Sequence, residues 1–194
     1  MAPQTAAPII RRPTADDALA LAREQFLAGE RVEMGALAGQ LGINRTTLYR
    51  WVGEREQLMG TLFSALIDEW LQAVRDEADY EGVEGFLDML RRVLELGSEF
   101  EPLTEFTRRE PALALRILSD RSGAVAANAD ATIARLLAEV APEVDPPESV
   151  IRAISVVSRT LVWANIATDQ EPDVEGVIEV SRTVLESSPR RAPG

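Results

Sequence analysis

Apolar residues recur three and four positions apart along most of the chain, which is the spacing of one helix face, and no stretch alternates as a strand would. The first apolar stripe begins after Thr14, a predicted N-cap, and ends at Gly29. A second stripe, from Met34 to Leu41, predicts a short helix. A third helix is predicted between Asn44, as its N-cap, and Gly53, which interrupts it.

A longer fourth helix is predicted after Glu54, because apolar side chains recur at every fourth position from Leu58 to Trp70. Residues 76 to 85 are acidic and contain glycine, which predicts a loop. Further helices are predicted over residues 86–97, from Pro102, from Pro111, and over 124–140, 148–168 and 174–186. Nine or ten helices with short connections predict an all-α fold.

The second and third helices have the pattern of a helix-turn-helix. The segment from Val32 to Arg55 is VEMGALAGQLGINRTTLYRWVGER, in which a Gly-Ile-Asn turn joins two short helices. In such a motif the first helix packs and the second lies in the major groove of DNA. The outward residues of the second helix, with donors suited to phosphates and base edges, are predicted to be Arg45, Thr46, Thr47, Tyr49 and Arg50.

The run ALAGQLGINRTTLYRWVGEREQL resembles the DNA-binding motif of TetR-type repressors. The resemblance covers residues 14 to 66 and rests on the turn, on the Leu48-Tyr49 pair and on the basic-acidic pair Arg55-Glu56. It implies that Tyr49 and Arg55 contact phosphates. It also implies that Arg45, Thr46, Thr47 and Arg50 face the groove, and Asn44, the N-cap of this helix, is included in the predicted DNA-binding set. The chain departs from the family pattern at Val52, where phenylalanine is usual, and at Glu54, a weaker cap that brings negative charge near DNA.

These patterns divide the chain into four parts. Residues 1–13, rich in proline and alanine, are expected to be a disordered tail, in which Arg11 and Arg12 are either solvated or form an arm for the minor groove. Residues 14–57 are expected to be the helix-turn-helix DNA-binding domain, residues 58–188 the ligand-binding and dimerisation domain, and residues 189–194 a short tail.

Composition narrows the chemistry. The chain has no Cys, no His and no Lys, and all of its 20 positive side chains are Arg. Disulfides, Cys or His metal sites, a histidine base and a Schiff-base lysine are therefore excluded, and we expect no metal, no cofactor and no enzymatic activity. The N-terminus lacks a signal-peptide pattern and no apolar run approaches the about 18 residues of a membrane span, which predicts a cytoplasmic protein.

The net charge of −12 is unusual for a DNA-binding protein, but its distribution is uneven. Residues 1–55 contain seven Arg and six acidic residues, whereas the remainder contains 13 Arg and 26 acidic residues. The acidic excess therefore lies outside the segment predicted to bind DNA.

The penultimate helix is apolar on nearly every side from Val150 to Ile166, and a helix that is hydrophobic all round is buried all round. In a chain of this length, one face can be covered by its own domain and the other by a second subunit. We therefore expect a homodimer whose interface is formed by residues 148–187.

Aromatic and aliphatic residues of the C-terminal part can line a ligand cavity or fill a core. The predicted pocket residues are Trp70, Phe86, Met89, Phe100, Phe106, Arg159, Trp163 and Asn165. Arg159 and Asn165 stand out because they interrupt an apolar helix, and Arg159 either pairs with a carboxylate, is solvated at a dimer edge or faces the ligand. An apolar lining with only Arg as a cation predicts an apolar effector that is neutral or weakly acidic.

Two short stretches, from Glu110 to Leu118 and from Glu171 to Glu175, resemble the QsdR-type branch of the family. That resemblance implies a lactone or acyl ligand.

The leading hypothesis is a transcriptional regulator, a repressor that binds a pseudo-palindromic operator as a dimer and is released by a small effector. The alternative is a metabolite-sequestering protein whose helix-turn-helix serves only packing, and an enzyme that works through carboxylates ranks third.

Overall fold

The computed structural model describes residues 12–77, 79–120 and 123–191, and within them it contains ten helices and no strand. The helices are α1 (Ala15–Leu27), α2 (Met34–Gln40), α3 (Arg45–Val52), α4 (Arg55–Arg75), α5 (Gly82–Glu99), α6 (Glu101–Arg109), α7 (Pro111–Ser119), α8 (Ala124–Val140), α9 (Glu148–Ala167) and α10 (Val174–Glu186). The predicted all-α fold is confirmed. The expected N-terminal tail lies, but for its last two residues, outside the described residues.

The first three helices begin and end at the residues that the sequence singles out. The Thr14 hydroxyl accepts a hydrogen bond from the backbone of Asp17, whose carboxylate in turn accepts one from the Thr14 backbone, so a capping box starts α1. Gly42 and Gly53, at the turns before and after α3, have φ values of +66° and +71°. Side chains with a Cβ are strained in this region, so glycine sets the geometry of both turns.

Helix α5 differs from its prediction at both ends. It begins at Gly82 rather than Phe86, so the predicted loop over residues 76–85 is too long, and it continues beyond Gly97 to Glu99. Gly97 does not end the helix because its role is close packing. A Cβ at this position would lie 3.0 Å from the Trp70 ring and 3.1 Å from the Trp163 ring. The glycine therefore lets two tryptophans approach the backbone of α5.

The penultimate helix, α9, is continuous but not uniformly α-helical. It is α-helical over Glu148–Ser158, π-helical over Arg159–Ala164 and α-helical again over Asn165–Ala167. By length and composition alone this helix could cross a membrane, which corrects the expectation that no run approaches that length. It packs instead against helices α8 and α10 inside the domain, although only 33% of its apolar window is buried by the chain itself.

An aromatic cluster joins the N-terminal helices to the C-terminal domain. The ring of Phe63 on α4 lies 5.6 Å from that of Phe26 on α1 and 5.3 Å from that of Phe106 on α6. All three side chains are buried.

At the other end of the chain, Asp145 donates its backbone N–H to Pro189 O, which holds the first residues after α10 against the loop between α8 and α9.

Candidate nucleic-acid interface and ligand cavity

Helix α3 presents a polar surface to solvent while it is anchored from beneath. Leu48 is fully buried and fixes the helix against α1, whereas Arg45, Thr46 and Arg50 are exposed. Tyr49 is 37% exposed, an unusual degree for a large aromatic residue. The structure therefore places these side chains on one accessible face, with an arginine at each end.

The N-terminus of α3 is held by its cap. Asn44 accepts a hydrogen bond from the backbone of Thr47 at 2.7 Å, and both residues lie at the beginning of the exposed face. The Arg45 guanidinium lies across Gly35 of α2, where any Cβ would collide with it. Gly35 thereby makes room for a cation at the junction of the two helices.

Arg55 occupies a different environment from the one expected of a phosphate-binding residue. Its side chain is 18% exposed and forms a bidentate ion pair with Glu110, with N–O distances of 2.6 and 2.8 Å. Its Nε also donates to Val32 O at 2.6 Å. Three donors of the guanidinium are thus directed at protein acceptors rather than outward, and the phosphate contact expected of Arg55 stays a prediction.

The Arg55–Glu110 pair tethers the N-terminal helices to the C-terminal part of the chain. Glu110 lies between α6 and α7, Arg55 begins α4, and Val32 lies in the loop before α2. The hydrogen bonds from Arg55 hold the pKa of the Glu110 carboxyl below its usual value, and those to Glu110 raise the pKa of Arg55. A second tether lies beside the first, because Arg109 donates to Gly29 O at 2.8 Å.

A cavity of about 90 Å³ lies between helices α4, α5, α8 and α9. Its walls are almost entirely apolar, and no acidic side chain lines it in the part of the chain that the structure describes. Of the predicted pocket residues, the structure brings together around this cavity Trp70, Phe86, Met89, Arg159 and Trp163.

The other three predicted pocket residues do not line the cavity. The Phe100 ring packs edge-on against Trp70 with ring centres 5.5 Å apart and is not among the side chains that line the void. Phe106 belongs to the aromatic cluster with Phe26 and Phe63. The Asn165 amide donates to Glu171 O at 3.1 Å and so bonds the loop that precedes α10. Their residue types are ones that can line a pocket, but sequence alone does not show which side of a helix meets the void.

The polar part of the cavity comes from one stretch of α9. Ser155, Ser158 and Arg159 all line the void, and Arg159 is 9% exposed. The Arg159 guanidinium donates to Leu118 O, and its Nε donates to Ser155 O at 3.2 Å. The Ser155 hydroxyl is fully buried and has no hydrogen-bond partner. The two serines were not predicted, although two hydroxyls within an apolar helix were the available signal.

An apolar face of α9 and α10 remains uncovered by the chain itself. Val156 and Val180, one on each helix, are both 39% exposed. Val156 borders an open groove of about 490 Å³ between α7 and α9, and Arg159 lies between this groove and the internal cavity.

Comparisons with known proteins agree with this architecture. Residues 81–186, more than half of the chain, match the family model described as the tetracyclin repressor-like C-terminal domain. The fold is similar to the structure of the transcriptional repressor QsdR of the TetR family from R. erythropolis, at a TM-score of 0.82 and 23% identity, over 92% of this chain and 97% of that one.

A second solved structure, the TetR-family repressor AlkX from Dietzia sp. strain DQ12-45-1b, is described as implicated in biodegradation of n-alkanes. It matches with a TM-score of 0.61 and 20% identity, over 92% of this chain and 98% of that one. No curated protein sequence matches the chain. At these identities the two structures show the fold, and the family model shows the family.

Proposed function

This chain belongs to the TetR family of transcriptional regulators, and on that basis we propose that it is a repressor that binds operator DNA as a homodimer and is released by a small effector. Regulators of this family are DNA-binding proteins rather than enzymes, and they are soluble cytoplasmic proteins. The observation that carries the proposal is the exposed polar face of α3, built on a buried Leu48.

The α3 face supports DNA binding because it combines cationic, hydroxyl and aromatic groups on a helix short enough to enter a major groove. In the proposal, Arg50 and the two threonines meet base edges, while Tyr49 and Arg45 contact the backbone. Packing alone would not require two arginines and a tyrosine in solvent, which disfavours the sequestering alternative.

The uncovered face of α9 and α10 supports the dimer. A second copy would cover Val156 and Val180 and the unburied remainder of the apolar α9 helix. An interface of two helices from each subunit is a four-helix arrangement, in which side chains pack well over a large area. The dimer would present two α3 helices at about the 34 Å repeat of a DNA turn.

The cavity supports an effector that is mostly apolar and is neutral or weakly acidic. Its walls are apolar, and among the described residues that line it Arg159 is the one cation and none is acidic. At about 90 Å³ the void is well below the ~300 Å³ of a drug-sized pocket, so an effector of that size must displace the walls. One of those walls is α4, which begins at Arg55 beside the DNA-binding helices.

A gel-shift titration of the protein against its own upstream DNA tests the proposal, with Arg50→Ala as the variant. Arg135→Ala is the matched control, because Arg135 is exposed on α8, away from α3. We expect a specific shift that Arg50→Ala weakens by about tenfold or more and that Arg135→Ala leaves unchanged. Equal binding by all three proteins, or no binding, would favour the sequestering alternative.

A further inference from the structure

The polar part of the cavity has the properties of a carboxylate subsite. We propose that Arg159 and Ser155 bind the carboxylate of a slender aliphatic acid whose chain lies along the apolar walls toward Trp70 and Phe86. The inference rests on the proposed function only in assigning the cavity to an effector, and it names the chemical class of that effector.

The first support is the Ser155 hydroxyl. It is fully buried, it borders the void and it has no hydrogen-bond partner. A buried hydroxyl without a partner costs free energy, so native structures rarely keep one without a reason. Here a ligand oxygen placed in the cavity would accept the hydrogen bond that the protein does not provide.

The second support is the charge of the lining. Arg159 brings a permanent cation to the wall of a void in which none of the described lining residues is acidic. Its Nε and Nη1 donate to the carbonyl oxygens of Ser155 and Leu118, which holds the guanidinium in the wall of the void. A carboxylate complements such a group in both charge and shape, whereas an amine would meet like charge.

The third support is the backbone of α9 at this point. The π-helical turn runs over Arg159–Ala164, so it carries both Arg159 and Trp163, two residues of the cavity wall. Such turns are uncommon within α-helices and are frequent at functional sites. The wider turn lies where the subsite needs a cation and an aromatic wall together.

The shape of the void limits the rest of the ligand. The cavity has a volume of only about 90 Å³, although side chains from four helices border it, so it is narrow. A flexible chain can enter such a space with small displacements of Ile67 and Met89, whereas a rigid ring system cannot. Among the described lining residues, Arg159 alone borders both this void and the outer groove, so the carboxylate lies at the end nearer the surface.

Calorimetric titration of the full chain with octanoate, octanol and octylamine tests this inference, with hexanoate and decanoate to vary the chain. We expect octanoate to bind about tenfold or more tightly than octanol, and octylamine to bind most weakly. Arg159→Gln should reduce octanoate to the affinity of octanol, and Ser155→Ala should weaken octanoate by a smaller factor.

Arg152→Gln is the matched control, because Arg152 lies two turns earlier on α9 and is exposed in the outer groove. It should bind octanoate as the wild type does. If Arg159→Gln proves unfolded by circular dichroism, Arg159→Lys, which retains the charge, should keep the preference for octanoate over octanol. Ser155→Ala removes only a hydroxyl without a partner and should fold normally.

Equal affinity for octanoate and octanol, a preference for octylamine, an unchanged preference in Arg159→Gln, or no binding of any of the three acids would overturn the subsite. Gel shifts of the ligand-free protein, run in parallel, separate this result from the proposed function. DNA binding without binding of acids rejects the subsite alone, and binding of octanoate by a protein that binds no DNA rejects the regulator alone.

Discussion

Arg55 fits the sequence motif and has, in addition, a structural role in the fold that the motif does not predict. The motif places a basic residue at the start of the fourth helix, and an arginine there is expected to meet a phosphate. In the structure its guanidinium reaches Glu110, 55 residues further along the chain, and Val32 O. Sequence spacing could not reveal this partner, because the pair depends on how α6 and α7 pack against the DNA-binding region.

The ion pair between Arg55 and Glu110 is expected to contribute more to stability than an exposed pair, because both side chains are largely buried and the contact is bidentate. Arg55→Met and Glu110→Gln should each lower the free energy of unfolding by about 1.5–3 kcal/mol. A double-mutant cycle by urea denaturation should show strong coupling between them. The exposed pair Arg116–Glu56 is the control, with an expected coupling below about 1 kcal/mol. Equal coupling in the two pairs would contradict the role of the tether.

The same carboxyl predicts a pH dependence. The pKa of Glu110 is lower in the folded protein than in the unfolded chain, because Arg55 donates hydrogen bonds to the charged form. Its contribution is therefore complete above the unfolded value of about 4.3 and is lost as the pH falls through the folded pKa. Between pH 6 and pH 3 the wild type should lose more stability than Glu110→Gln, measured by thermal unfolding at each pH. Parallel curves would show that Glu110 is not the group responsible.

At the scale of helices, the sequence predicts both ends of a helix correctly where the local pattern of residues determines them. Helices α8 and α10 begin and end where the apolar periodicity does, over Ala124–Val140 and Val174–Glu186. The predicted helix boundaries are wrong where tertiary packing, rather than the local sequence, determines them. Gly97 looked like a helix end but lies beneath two tryptophans, and the π-helical turn of α9 follows from no local pattern that we recognise.

Gly97 and Gly39 make a matched pair for testing this distinction, because both are helical. A Cβ at Gly97 would lie 3.0 Å from Trp70, whereas a Cβ at Gly39 would have nothing within 4 Å. Gly39→Ala should stabilise the protein by up to about 1 kcal/mol through helix propensity. Gly97→Ala should instead destabilise it by about 1–3 kcal/mol through overpacking. The melting temperatures of the two variants should therefore move in opposite directions. A stabilised Gly97→Ala would mean that the tryptophans have room to retreat.

For the molecule as a whole, the all-α class followed from the helical spacing of apolar residues along the chain, and the family and the regulatory role followed from a helix-turn-helix pattern that is local in sequence. The cavity did not follow to the same degree, because its walls come from four helices far apart in the chain. The sequence predicts Trp70 and Phe86 as pocket residues because they are large aromatics, and Arg159 because it is a cation within an apolar helix. Ser155 was not predicted, because a hydroxyl within an apolar helix signals a polar contact but does not show which side of the helix meets the void.

The exposed valines on α9 and α10 give a prediction at the level of the assembly. Val156→Glu and Val180→Glu, alone or together, should convert the proposed dimer to a monomer, because each would place a charge in the apolar interface. Sedimentation velocity at micromolar concentration measures the change. Leu96→Glu on α5 is the control, since Leu96 is 39% exposed but lies outside residues 148–187. A wild-type monomer, or a dimer that survives both valine substitutions, would place the interface elsewhere.

Helix α7 is bonded at both of its ends, to Arg55 through the adjoining Glu110 and to Arg159 through Leu118 O. One short rigid element therefore touches both the DNA-binding region and the cavity wall. If it carries the coupling, thermodynamic reciprocity requires operator DNA to weaken the ligand by the same factor as the ligand weakens DNA. Titrating octanoate onto free and operator-bound protein should give the same factor as titrating operator DNA with and without octanoate. Glu110→Gln should reduce this coupling factor toward one while leaving octanoate affinity for the free protein unchanged.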